Sequence, residues 1–467
     1  MPVAPERLDR VFNPKVVAVV GDKKASGYMW LKSVQSFKGK VYSVQVDPNE
    51  IPNIEALGFK NCKSLLDIPE PVDYVIVAVP RAVSPRIVAD CIKKNVGGAT
   101  LFTSGFAETS TPEGKELQDK LFHMAKDAGM ILIGPNCMGV YNPSLNLGFF
   151  PEQPKYEGGT VSFSSQSGSH CHAMSVAAAA NGFKINKAVS FGNGIVLENA
   201  DYLEYFAGDP QTKVIGMYIE GLKDGRRFFK LLRETTPRKP VLIWKGGQTP
   251  DGARATSSHT ASLAESAQVW DAVIRQTGAI RVDSMEEMVD TLKAVVYLPP
   301  VTGYGVALAG GAGGQSVSIA DAFSKAGLKV PAISGESYKK LESFFSLVGA
   351  SFKNPIDLGS NRAELDTILD IVSEDPAFHT VVMQIAMSVW LRTRSMGRAQ
   401  LDATVRFKAK GKQAVIAVPY SVAPYQDGEK IAALDAELLA AGIPTFPTYD
   451  RAAKALKNVI DYYRNRG

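Results

Sequence analysis

Short, continuously apolar runs recur along this chain, each closed by glycine or proline and followed by a stretch of helical spacing. Residues 16–20, 41–46, 74–79, 99–103 and 130–133 are such runs, with helical patterns near 30–34, 83–94 and 113–128 between them. A strand buried on both faces reads as an uninterrupted apolar run, and parallel strands need a crossover helix to join them. The alternation therefore predicts a parallel sheet covered on both sides, a doubly wound Rossmann-like domain over residues 1–140.

The pattern then restarts twice. A polar stretch over 141–154 reads as a linker. Strands follow at 160–164, 188–191, 214–219 and 241–244, with an alanine-rich helix over 169–181. After Pro299 and Pro300 come further strands at 305–309, 380–384 and 414–418, with a helix starting near Ser316. Three α/β units in series, 1–140, 155–298 and 301–467, suit a chain of 467 residues at about 150 residues per domain.

Composition removes several function classes. Hydrophobic residues at 45% and charged residues at 21% exclude wholesale disorder. A net charge of +5 is too weak to make nucleic acid or a membrane the main partner, but it allows local basic pockets for a phosphorylated small molecule. No apolar run is long enough to cross a bilayer, and the first residues lack the pattern of a signal peptide. Cys62, Cys91, Cys137 and Cys171 are scattered without metal-ligand spacing. Neither a disulfide framework nor a metal site is expected, and a reducing cytoplasm is.

Five places could carry chemistry. Gly21, Asp22, Lys23 and Lys24 close the first strand and open a helix; this is either an anion site or a tight turn. Residues 164–169, all small or polar, lie between a buried strand and the alanine-rich helix. Backbone N–H groups of Ser167, Gly168 and Ser169 could surround a phosphate there, or Ser169 could merely cap the helix. Residues 245–262 read as a long polar loop carrying His259, one of five histidines. Such loops are functional or disordered more often than mere connectors. Glu220 ends the strand 214–219, at the sheet edge where α/β ligand sites lie. A carboxylate there could bond one imidazole nitrogen and leave the other free to attack phosphorus. The glycines around Ala312 form a third strand-to-helix turn, suited to phosphate or simply permissive. No GxxxxGK[ST] sequence is present, which excludes a P-loop.

Taken together, these landmarks resemble the α subunit of the nucleoside-diphosphate-forming acyl-CoA synthetases, related to the α subunit of succinyl-CoA synthetase. The resemblance is carried by Asn13-Pro14-Lys15, Gly134-Pro135-Asn136-Cys137, Ser165-Gln166-Ser167-Gly168, Ser258-His259-Thr260 and Asn354-Pro355-Ile356-Asp357. It implies a CoA-binding Rossmann-like domain followed by two flavodoxin-like, succinyl-CoA-ligase-type domains. It further implies an acid–CoA ligase forming ADP through an acyl phosphate and a phosphohistidine. His259 would be phosphorylated, Glu220 would orient it, and Ser167, Gly168 and Ser169 would hold the phosphate. CoA would lie near Gly21, Asp47, Pro48, Val79, Pro80, Thr103, Ser104, Gly105, Asn136 and Cys137, with Cys137 near the thiol end but not a nucleophile.

Three positions depart from the family pattern. The first glycine turn is short and charged, Ala261 and Glu265 stand where glycines are usual, and His170 and His172 open the helix after the phosphate turn. One of these two histidines is expected to touch the acid substrate. The three units leave no room for an ATP-grasp module, so ATP with Mg is expected on a separate β subunit, in an α2β2 or similar hetero-oligomer. Two other readings are a CoA-binding regulatory module without catalysis and an NAD-dependent dehydrogenase. The second suffers from the missing GxGxxG.

Overall fold

The computed structural model describes residues 4–260, 267–311, 313–392 and 394–466. The first sheet holds β1 (Val16–Val20), β2 (Lys40–Val44), β3 (Lys60–Cys62), β4 (Tyr74–Val77), β5 (Gly98–Leu101) and β6 (Leu132–Ile133). All are parallel, in the order β3-β2-β1-β4-β5-β6. Every residue of β1, β4 and β5 is buried, because helices such as Ser84–Lys94 and Pro112–Asp127 press Val88, Cys91 and Leu121 into the same core. The doubly wound sheet expected from the apolar runs is present.

The second sheet holds β7 (Gly139–Tyr141), β8 (Val161–Ser165), β9 (Ile185–Ser190), β10 (Val214–Ile219), β11 (Val241–Lys245) and β12 (Ile280–Val282). Its order is β12-β11-β10-β8-β9-β7, parallel except for β7, which runs antiparallel to β9. The stretch read as a linker thus begins as an edge strand. Val140 and Tyr141 are 1% exposed, and the Tyr141 hydroxyl donates to the Pro154 carbonyl at 2.6 Å. Two apolar residues beside Gly139 sufficed for pairing, where a polar composition had suggested a connector.

The third sheet is parallel, β14-β13-β15-β16, from β13 (Val306–Gly311), β14 (Ile356–Asp357), β15 (Thr380–Ala386) and β16 (Ala414–Tyr420). Residues 1–285 form one compact unit containing the first two sheets, and residues 286–467 form another. In each sheet the crossovers diverge between two neighbours, β1 and β4, β8 and β10, β13 and β15. Ligands of open α/β sheets bind at the carboxyl ends of such strands.

The second unit contains a buried cation. Lys293, on the helix Met285–Tyr297, is 3% exposed, with its ammonium 4.9 Å from the centre of the Phe446 ring. Burial pulls its pKa down to about 8, against the opposing pull of Asp290 and Asp435, while Arg451 adds to the fall. Between pH 8 and the ordinary lysine value the unfolded chain therefore binds more protons than the folded one, so stability rises with pH across that window. Relative to Lys293→Met, the wild-type protein should gain about 2 kcal/mol between pH 8 and 10, read from urea unfolding curves at the two pH values.

Candidate active site

The residues expected to hold CoA all sit at the carboxyl edge of the first sheet. Gly21 follows β1 with φ +82°, and a Cβ there would stand 2.5 Å from Val79 Cγ1 and 3.2 Å from the Ala78 carbonyl oxygen. Glycine is what lets the β1 and β4 ends close up at the strand-order reversal. Asp22 turns inward, 2% exposed, and accepts from Lys23 N, Ser26 Oγ and Leu31 N at 3.0, 2.7 and 2.9 Å. The acid in the short first turn is thus an internal brace, and Lys23 and Lys24 remain exposed. Asp47 and Pro48 lie exposed beyond β2, with Asp47 accepting from Asn49 N at 2.9 Å.

Val79 and Pro80 follow β4, and Thr103, Ser104 and Gly105 follow β5. The Thr103 hydroxyl donates to the Val79 carbonyl at 2.5 Å, tying the two loops together. Arg81 donates to the Gly105 carbonyl at 2.6 Å. Asn136, after β6, donates its N–H to Thr103 O at 3.0 Å. Cys137 is 3% exposed, and burial pushes its thiol pKa well up, so it is no thiolate nucleophile at neutral pH. Phe102, 38% exposed with its ring 4.9 Å from that of Trp30, adds an apolar surface at this edge. It reads in the sequence as the interior of a strand and was missed there.

The second sheet brings the remaining candidates to its own reversal, between β8 and β10. The turn after β8 leads into the helix Gly168–Ala180. Ser167, not Ser169, is its cap, with Ser167 Oγ accepting from His170 N at 3.4 Å. The Ser167 N–H is itself taken by Ser165 Oγ at 3.0 Å. Of the three expected phosphate donors, only Gly168 and Ser169 thus have backbone N–H groups with no partner among the described residues, at the positive end of the helix. Ser167 and Ser169 pair their hydroxyls at 3.0 Å beside them.

Glu220 stands one residue past β10, 3% exposed. Its backbone N–H and that of Gly221 donate to Gln166 Oε1 at 2.6 and 3.1 Å, and Gln166 N donates to Tyr218 O at 3.3 Å. The turn after β8 and the Glu220 strand end are therefore one hydrogen-bonded object. From β11, Lys245 Nζ donates to the Glu220 carbonyl at 2.9 Å. Tyr218 lies two residues before Glu220 on the same face of the strand, and burial and then the Glu220 carboxylate push its phenol pKa up.

His170 and His172 separate. The His170 ring packs 4.6 Å from both Tyr218 and Trp244, beside the strand ends. His172, two positions on, turns to Phe150 at 4.6 Å, with Nδ1 buried and unpartnered. Gln166, Tyr218, Trp244 and Lys245 were not singled out from the sequence. The two-residue periodicity of a strand ending in Glu220 could have pointed to Tyr218.

The stretch read as a long polar loop is instead the helix Pro250–Thr260. Thr249-Pro250-Asp251 is a start signal that its polar composition obscured, and Thr249 Oγ1 accepts from Gly252 N at 3.1 Å. The backbone of His259 belongs to this helix; its side chain, and Ala261 and Glu265, lie outside the described residues. The helix packs against the short turn Ala107–Thr109, which follows the Thr103–Gly105 loop. Glu108 in that turn accepts from Gly105 N at 2.6 Å and from Asn193 Nδ2 at 2.6 Å, so the first-sheet loop is also fastened to the segment after β9. In the third sheet, Gly310, with φ +96°, lies close under the Gln384 carbonyl. Among the described residues, no three His, Cys, Asp or Glu side chains gather as metal ligands, and no helix is long and apolar enough to cross a membrane.

Residues 15–143 match the family model of a CoA binding domain, and residues 158–295 that of a succinyl-CoA ligase like flavodoxin domain. The sheets and their edge sites thus define a CoA ligase architecture. The chain is 32% identical to the α subunit of acetate–CoA ligase (ADP-forming) I of Pyrococcus furiosus, over 96% of each chain. It is 35% identical to acetate–CoA ligase (ADP-forming) I of Archaeoglobus fulgidus over 96% of its own length, and spans 63% of that longer relative. A solved structure of the dinucleotide-forming acetyl-coenzyme A synthetase 1 of Ca. Korarchaeum cryptofilum, in complex with phosphate and ADP, superimposes with a TM-score of 0.82. Identity to it is 28%, with 98% of this chain and 97% of that one covered. The chain belongs to the ADP-forming acid–CoA ligase family.

Gln166→Leu removes the shared acceptor and leaves the Glu220 and Gly221 N–H groups buried without a partner. Each such group costs about 1–3 kcal/mol. The variant should show a lowered unfolding midpoint in urea, whereas Gln166→Glu, which keeps an acceptor oxygen, should recover most of the loss.

Proposed function

We propose that this chain performs the CoA and acyl-phosphate chemistry of an ADP-forming acid–CoA ligase, through a phosphohistidine at His259. The observation that carries this reading is a convergence. Two N–H groups at a helix N-terminus with no partner among the described residues, the buried Glu220 and the helix bearing His259 belong to one compact unit, and that helix packs on the turn following the first sheet's loop. The overall reaction interconverts carboxylic acid, CoA and ATP with acyl-CoA, ADP and phosphate. In the thioester-consuming direction, phosphate displaces CoA from acyl-CoA, giving acyl phosphate and the free thiol. The neutral His259 imidazole then attacks phosphorus, the carboxylate leaves, and the phosphoryl group passes on to ADP.

Each group of the chain has a defined part. Glu220 orients His259 and stabilises the charge on its ring, and Gly168 and Ser169 donate to the phosphoryl oxygens. CoA lies along the carboxyl edge of the first sheet, from Asp47 and Pro48 past Gly21, Val79 and Pro80 to Thr103, Ser104, Gly105 and Asn136. Its thiol end is directed to the loop that abuts the His259 helix. His170, beside the strand ends, is the better placed of the two histidines to touch the acid.

ATP and Mg are assigned to a separate ATP-grasp β subunit in an α2β2 or similar assembly. This rests on the 96% mutual coverage with a relative that is itself an α subunit. The longer Archaeoglobus relative shows the other arrangement open to the family, a single longer chain. The domain limits 1–140, 155–298 and 301–467 and a cytoplasmic location complete the proposal.

The test is phosphorylation by labelled ATP with a co-expressed β subunit. The wild-type chain should carry an acid-labile, alkali-stable label that His259→Ala abolishes. Absence of label with an active partner present, despite CoA binding, would leave a regulatory module instead.

A further inference from the structure

The amino edge of the third sheet, just before β13 and β15, carries a hollow of about 480 Å³, within the roughly 300–1,000 Å³ of small-molecule sites. Its base is a register of three neighbouring chain segments. Gly305 forms a parallel bridge with Lys329 on one side, and its carbonyl accepts from the His379 backbone N–H at 2.9 Å on the other. Residues aligned in this way put their side chains on one face of the sheet, and the glycine leaves that face open between the two basic ones. The His379 ring lies across the opening: a Cβ on Gly303 would stand 2.0 Å from its Cδ2, and one on Gly305 3.3 Å from its Nδ1. Arg464 forms a further wall, with its Cζ 4.7 Å from the centre of the Tyr304 ring and Nη1 donating to the Thr302 carbonyl at 3.3 Å. All of these residues belong to the unit 286–467.

Three basic side chains therefore meet in a lining that contains no carboxylate. Two acids come near it along the chain or through Tyr304, and both are engaged elsewhere. Asp461 accepts from the Tyr304 hydroxyl at 2.8 Å and from Lys457 Nζ at 2.5 Å. Asp375 turns inward, 1% exposed, and accepts from Ser334 N and Ala377 N at 2.7 and 3.0 Å. Arg464 ends the helix Tyr449–Arg464, where a cation suits the helix dipole. Lys329 and His379 belong to no helix, and neither forms an ion pair among the described residues. Like charges gathered without a counterion repel each other, and an anion placed among them removes that cost. We propose that this hollow binds the phosphate group of a small molecule, at a site separate from the turn after β8. Arg464 presents the remaining N–H groups of a planar fork, Lys329 a compact charge and His379 a ring N–H, which together match tetrahedral phosphate oxygens. Free phosphate and a nucleoside diphosphate both carry this group. The inference does not depend on His259.

The experiment titrates the full chain, labelled with carbon-13 in its five histidines, with inorganic phosphate and, separately, with ADP. The histidine Hε1 signals are followed at constant pH and ionic strength, and His379→Gln identifies the signal of interest. That signal should move saturably with at least one of the two ligands. Lys329→Ala/Arg464→Gln should weaken this binding by about tenfold or more, the worth of one or two charge-assisted hydrogen bonds, whereas Lys329→Arg should retain it. Lys329→Ala alone, at an exposed position, serves if the double variant folds poorly. Tighter binding of ADP assigns the site to a nucleotide, and equal or tighter binding of inorganic phosphate assigns it to the free anion; either supports the proposal. A His379 signal that stays still with both ligands, moves as much with sodium chloride, or titrates identically in the double variant overturns it. Movement confined to the other histidines reports binding elsewhere and overturns it too.

Discussion

The candidate active site depends on one side-chain oxygen. Gln166 Oε1 accepts from the backbone of Glu220 and Gly221, and Asn199 Nδ2 lies 3.5 Å from it while donating to the Gly221 carbonyl at 3.0 Å. These N–H groups lie beyond the last ladder bond of their strand, where a parallel sheet runs out of partners. Supplying an acceptor from the neighbouring turn satisfies them and also sets the distance between that turn and Glu220. Stability and site geometry therefore come from the same bonds. A change that loosened one would loosen the other.

Around this hub the electrostatics are arranged by burial. Glu198, at the start of the helix Asn199–Gly208, is 9% exposed, and desolvation raises its carboxyl pKa while Oε2 accepts from Lys223 N at 3.2 Å. Lys223 is drawn the other way, toward neutrality, and donates to the Gly194 carbonyl at 2.5 Å. In both shifts burial is the largest cause.

The fold was legible because its signal is redundant. Each of the runs 16–20, 74–79 and 214–219 is apolar throughout, and only a strand covered on both faces demands that. The end of such a run marks a sheet edge, which is why Gly21, Val79 and Glu220 could be placed from sequence. What failed to show were features whose composition disagrees with their structure. Tyr141 lies in a polar stretch yet pairs in a sheet, and residues 250–260 are hydroxyl-rich yet helical, because a Thr-Pro-Asp start and alanines at 253 and 255 outweigh the serines that follow. The cap moved from Ser169 to Ser167 for a related reason: four serines within six residues are indistinguishable until the backbone decides which one leaves the extended conformation. Gln166 was invisible because its role lies in long-range bonds to Glu220 and Gly221 that no local pattern encodes.

If His259 carries the phosphoryl group as proposed, its place on a helix sets what a relay to a nucleotide site would have to do. A flexible loop could carry a histidine across a gap by bending anywhere along its length. A helix moves as a body, and its anchors are at its start. Gln248 Nε2 donates to the Lys245 carbonyl and Gln248 Oε1 accepts from Arg281, each at 2.8 Å, while Gly247, at φ +72°, lies against the Thr256 side chain. Displacing the histidine means breaking those contacts and its seat on the turn Ala107–Thr109, or unwinding the helix from its far end. The first route costs a few surface hydrogen bonds, each worth about 0.5–1.5 kcal/mol. The second gives up intrahelical bonds and leaves the contacts at the helix start in place. Under the proposed mechanism, a site that must receive the histidine back is better served by the second route.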